Sequence, residues 1–149
     1  MKFVTLCAED LATKLKTVLT LEKKTLTVYS LDDLVSILGN TVKPAVGIMY
    51  EGTRRNDAGG GKQVGVSMEI VFSLLLITET SVISPRIDAM SPAHDTLDLM
   101  REAIHGSRSP TGHFWSFQVE APASQKGNVT VWVQRWACPV QVPPVHALG

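Results

Sequence analysis

The sequence predicts an α+β fold: a four-stranded antiparallel sheet built from two hairpins, with helices packed mainly on one face. Three observations predict it. The elements run helix, short strand, helix, hairpin, helix, hairpin, so strands come in consecutive pairs rather than alternating one for one with helices. Each pair is joined by a polar or glycine-containing segment, as antiparallel neighbours are. One strand segment, Val71 to Ile77, is apolar on both faces, the signature of a central strand covered on both sides.

Each element follows from local pattern. From Glu9 to Leu19, the residues Leu11, Leu15, Val18 and Leu19 are spaced like one face of a helix, with Lys14 and Lys16 toward the other. "TLTVYS", Thr25 to Ser30, is a short β-rich run. In "SLDDLVSILGN", Ser30 is a good N-cap, Asp32 and Asp33 suit the first turn, and Gly39 stops a helix. Pro44 then opens a strand in which Val46, Ile48 and Tyr50 point one way. After the glycine tract, Val64, Val66, Met68, Ile70 and Phe72 alternate with Gly65, Ser67 and Glu69.

"SPAHDTLDLMREAIHG" carries the clearest helix signals. Ser91 caps it, Pro92 takes the first position, Gly106 ends it, and Ala93, Leu97, Met100 and Ile104 form its buried stripe. "HFWSFQVEA" and "NVTVWVQRWACPV" then form the second hairpin, joined by "PASQKG". Trp115, Phe117 and Val119 are expected on one face of its first strand. Val129, Val131 and Val133 share one face of its second strand, and Trp132, Gln134 and Trp136 share the other. Two indoles opposite the valines imply that this face is covered too, and another subunit is the expected cover. Residues 1–142 are expected to form a single domain, with 143–149 an extended tail around Pro143 and Pro144.

Composition narrows the function classes. The 149 residues are enough for one domain with a real core. A formal net charge of +0 argues against a protein whose main work is nucleic-acid binding. The low charged fraction, 19%, is what a surface that meets partner protein would carry. Cys7 and Cys138 lie at opposite ends of the chain, outside any CxxC or Cys/His cluster, and are expected to be free thiols in a reducing compartment, with a disulfide between them the alternative. The N-terminus mimics a signal peptide for a few residues until Glu9 and Asp10 interrupt it, and the apolar run Ile70 to Ile77 is too short to span a bilayer. No membrane partner and a cytoplasmic product are expected.

Motifs for chemistry are weak. In "TRRNDAGGGKQ", Thr53 to Gln63, Gly61-Lys62 is followed by Gln63 where a P-loop needs Ser or Thr. The next segment has strand pattern, so no helix N-terminus is offered to a phosphate. The tract is expected to be the tip of a hairpin. His94 and His105 are three helical turns apart, too far to share a metal, and His113 and His146 lie elsewhere. No G-x-S-x-G elbow occurs, and Asp32, Asp33, Asp95 and Asp98 suit helix first turns. No catalytic residue, cofactor site or metal site is therefore assigned. A basic set remains: Arg54, Arg55, Lys62, Arg86, Arg101, Arg108 and Arg135. Arg54, Arg55 and Lys62 would cluster at the hairpin tip, either as a solvated loop or as a contact for an acidic partner or for DNA passing through a ring.

The succession "KPAVGIMYEG", "VGVSMEIVFSLLLI", "HDTLDLMREAIHG", "GHFWSFQVEA" and "GNVTVWVQRWACPV" resembles the tail terminator proteins of long-tailed phages, especially the Mu-like tail-terminator group. The resemblance spans Leu31 to Val142 and is one of element order and texture. It implies a non-enzymatic virion protein that assembles in the host cytoplasm. Six copies would form a ring that caps the tail tube, stops its growth and joins the tail to the head-side connector. It implies as partners the tube protein, the connector protein and, in contractile tails, the sheath protein. A closed ring requires two different interface patches per subunit. The expected patches are the Trp132/Trp136 face with its adjacent strand edge, and the hairpin tip bearing Arg54, Arg55 and Lys62. The competing readings are another neck component, such as a head-tail adaptor or tail-completion protein, and a small hydrolase or nucleotide-binding enzyme.

Overall fold

The computed structural model describes residues 2–21, 27–30, 45–55, 66–79 and 91–142. The helix expected after Ser30, most of the glycine tract with Lys62, and the tail 143–149 lie outside the described residues. Two helices are described, α1 (Phe3–Leu21) and α2 (Ser91–Ile104). The strands are β1 (Thr27–Ser30), β2 (Ala45–Arg55), β3 (Val66–Glu79), β4 (Ser116–Lys126) and β5 (Val129–Val142). They form one sheet in the order β1-β2-β3-β5-β4.

The four long strands are antiparallel, as the sequence predicts, and they come from the pairs β2–β3 and β4–β5. The short β1 adds to the β2 edge in parallel. The centre of the sheet is the β3–β5 pair, which stays in register from Val66↔Val142 to Glu79↔Val129. That central place explains the double-sided apolar run: all residues from Ile70 to Ile77 are buried.

Both helices lie on one face. α1 buries Cys7, Leu11, Leu15 and Leu19, one residue in every four, a stripe down a single side of the helix. It begins at Phe3, six residues before the expected start, because Cys7 extends the buried stripe into a stretch whose local composition favours strand. α2 buries Ala93, Leu97, Met100 and Ile104, the stripe read from sequence. Gly106, at φ +75°, supplies the left-handed residue just after this helix, and Ser107 closes it with a bond to the Ile104 carbonyl. These stripes meet Val46, Ile48, Ile70, Phe72, Leu74, Leu76, Trp136, Cys138 and Val140 in the main core. Each fully buried leucine there contributes about 1.5–3 kcal/mol of transfer free energy.

The opposite face carries a smaller apolar cluster. Leu75 and Ile77 are buried there, with Met49, Val129, Val131 and Val133 partly buried around them.

The second hairpin differs from expectation in two respects. Its turn is only Gly127-Asn128, since β4 runs on through Pro122 to Lys126, most of the segment expected to be loop. Gly127, at φ +63°, takes the conformation that a two-residue turn demands. A register shift also falls between Phe117 and Val119. Phe117 pairs with Trp136 on the helix side, whereas Val119 pairs with Arg135 on the other. Trp115 precedes the strand and is buried in the core. The three residues expected on one face therefore do not share it.

Candidate functional site

Trp136, expected at an interface, is fully enclosed by its own chain. It belongs to the main core beneath the helices, with Phe117 against it edge-on at 5.3 Å between ring centroids. Its Nε1 donates to Gln134 Oε1 at 3.3 Å. Trp132 is partly buried against the same core, and His94 of α2 meets its ring edge-on at 5.5 Å. The cover that the sequence predicts is real, but the subunit's own helices supply it. Trp136 cannot contact a partner, which removes it from the first expected patch and leaves Trp132, partly buried, and the adjacent strand edge.

A polar network sits where an interface was expected. Gln134, fully buried, donates from Nε2 to the Leu97 carbonyl at 2.8 Å and to Glu120 Oε1 at 2.7 Å. Glu120 also accepts from Arg101 Nε at 2.9 Å, and Arg101 pairs with Asp98 on its own helix. The hydrogen bond to Glu120, seconded by Asp98 and opposed by burial, raises the pKa of the Arg101 guanidinium. The network ties α2 to β4 and β5, so Arg101 leaves the free basic set.

The described part of the hairpin tip retains Arg54 and Arg55, both exposed at the end of β2. Arg54 Nε donates to Glu69 Oε2 at 2.9 Å, its register partner on β3. Its Nη2 donates to Gln118 Oε1 of β4 at 3.3 Å. Arg55 pairs in register with Met68. Lys62 lies outside the described residues. Arg54 and Arg55 are thus placed together, and whether Lys62 joins them falls outside the described residues.

On the face away from the helices, an open cleft of about 240 Å³ is lined by Glu51, Gly52, Thr53, Arg54, Val71 and Arg135. Ser73, fully buried beside it on β3, donates to Glu51 Oε1 at 2.6 Å. Two guanidiniums and a carboxylate around an open depression suit the docking of a polar surface. Arg135 belongs to the basic set read from sequence, but its meeting with Arg54 and Glu51 depends on cross-strand register, which has no local signal.

The β4 edge completes the surface. In the described sheet β4 has a neighbour on one side only, and every residue of it except Glu120 is exposed. Phe117 and Val119, 41% and 40% exposed, present apolar area on opposite faces of this edge. Phe114 is nearby in the chain, 53% exposed, with the Arg108 guanidinium 4.5 Å above its ring. Pro122 and two register shifts blunt the strand against indiscriminate pairing.

Among the described residues, no three His, Cys, Asp or Glu side chains converge as metal ligands. No helix among them is long and apolar enough to cross a membrane. What the fold and surface define is an α+β domain with the two described helices on one face, an opposite face that buries Leu75 and Ile77, and a β4 edge that exposes Phe117 and Val119. No protein-family model matches the chain, and comparison with curated proteins returns no match.

Proposed function

We propose that this chain is a structural ring subunit, the tail terminator of a long-tailed phage. Six copies cap the tail tube, end its growth and offer the head-side connector a docking surface. The observation that carries the reading is the β4 edge: an 11-residue strand, exposed along its length, with Phe117 and Val119 projecting from it. An exposed strand edge that carries two large apolar side chains is suited to being covered by a specific partner. A ring joins unlike patches, so the β4 edge of one subunit meets a different surface of the next. In this reading the other patch is the hairpin tip with Arg54, Arg55 and Lys62, and the tube and connector proteins contact the two rims of the ring. Trp136, fully buried, has no part in it, while Trp132, partly buried, stays a candidate contact.

The test is the mass of the purified protein in solution, joined to negative-stain imaging. The expected particle is a ring six times the 16.2 kDa chain mass. A strict monomer at every concentration reached overturns the reading, and a monomer that binds nucleotide turns it toward an enzyme. Phe117→Asp with Val119→Asp is expected to yield folded monomers.

A further inference from the structure

Cys7 and Cys138 are 131 residues apart in the chain, yet their Sγ atoms stand 3.7 Å from each other. Both side chains are fully buried, and both are free thiols. Cys7 is the first of the four buried residues of α1, and Cys138 lies on the helix-facing side of β5 opposite Ile70. Neither element is loosely placed. Leu11, Leu15 and Leu19 anchor α1 in the core, Trp115 Nε1 donates to Asp10, and Lys14 Nζ donates to the Arg108 carbonyl. A disulfide has a sulfur–sulfur length of about 2.05 Å, so closing the bond asks the sulfurs to approach by roughly 1.7 Å. Such an approach calls for rotation about the two χ1 angles or a small shift of the helix.

We propose that Cys7 and Cys138 are a disulfide-forming pair, oxidised by a small hydroperoxide, whose bond ties the N-terminal helix to the central strand β5. The two sulfurs are not equivalent. A hydrogen bond from Cys7, with further ones from Ser109 and Thr111, lowers the Cys138 pKa against the opposing effect of burial. The same contact, followed by burial, raises that of Cys7. In this proposal Cys138 attacks first, as the sulfur with two further hydrogen-bonding hydroxyls, Ser109 and Thr111, beside it. Its sulfur displaces hydroxide from the peroxide O–O bond and becomes a sulfenic acid. Cys7 sulfur then attacks the sulfenic sulfur. The S–S bond forms, the S–O bond breaks, and the departing hydroxide takes the Cys7 proton as water. Two thiols and one hydrogen peroxide give one disulfide and two waters.

The experiment treats the purified full-length protein with hydrogen peroxide and measures intact mass, thiols alkylated after denaturation, and Tm. The expected product has lost two hydrogens and both alkylatable thiols within a single chain. Its Tm is higher by about 10 °C, because the bond closes a very long loop in the unfolded chain. Dithiothreitol reverses all three changes, while Cys7→Ala and Cys138→Ala each abolish the two-hydrogen loss and the Tm gain. Two thiols still alkylatable after treatment overturn the proposal, as does a bond found only between chains. An oxidised chain whose Tm falls overturns the claim that the bond fits the native fold.

Discussion

The indole Nε1 of Trp115 donates a hydrogen bond to Oδ2 of Asp10 at 2.9 Å, across 105 residues of chain. The same carboxylate oxygen accepts from Lys14 Nζ at 2.7 Å, and Lys14 also donates to the Arg108 carbonyl at 2.7 Å. One acidic side chain on α1 thereby fastens the helix to the segment that leads into β4. Asp10→Ala is expected to leave the buried Trp115 donor without its acceptor and to cost about 1–3 kcal/mol. Asp10→Asn, which retains an acceptor oxygen, costs less. Urea unfolding followed by tryptophan fluorescence measures both, and equal losses would refute the role of the hydrogen bond.

Gln134 is the only side-chain acceptor recorded for the buried Trp136 indole among the described residues. Gln134→Leu preserves volume but orphans that N–H, at about 1–3 kcal/mol. Adding Trp136→Phe removes the orphan, so the double variant is expected to lose less than the sum of the single changes. A double-mutant cycle by chemical denaturation reads the coupling, and strict additivity would sink it.

Met100 is fully buried where α2 enters the main core. Met100→Ala is expected to destabilise by about 2–5 kcal/mol through lost burial and the cavity left behind. Glu102→Ala, two residues along on the exposed side of the same helix, stays within about 0.5 kcal/mol. Thermal unfolding of the two variants checks which face of α2 carries stability.

Gly127→Ala tests the β4–β5 turn. No atom lies within 4 Å of the position an added methyl would take, so its cost comes from backbone conformation alone. A left-handed alanine there is expected to cost about 1–2 kcal/mol. No measurable loss of stability would show that the turn adapts.

The hairpin tip separates assembly from folding. The Arg54–Glu69 pair is exposed on the arginine side, so its loss costs at most about 1 kcal/mol. Changing Arg54, Arg55 and Lys62 together to alanine is expected to leave Tm within a few degrees while abolishing ring formation or tail joining. Rings that assemble as well as the parent's would remove the tip from the interface.

The fold was legible wherever a local period carried it. Leu11, Leu15 and Leu19 recur at the helical period, as do Leu97, Met100 and Ile104, and Val129, Val131 and Val133 recur at the strand period. Those periods, with the order of elements, were sufficient for an α+β domain with two antiparallel hairpins and helices on one face. They also separated the tryptophan face of β5 from its valine face.

What covers each face was decided only in three dimensions. A period states that a face is buried without stating against what, so Trp136 pointed to a partner when α1 and α2 supply the cover. The register shift that sends Phe117 and Val119 to opposite sides, and the pairing that brings Arg135 beside Arg54, depend on contacts between segments distant in the chain. The meeting of Cys7 with Cys138 has the same origin. Local sequence determines which way a side chain points relative to its neighbours. Only the packing of helix on sheet, driven by burial of both stripes at once, determines what that side chain meets.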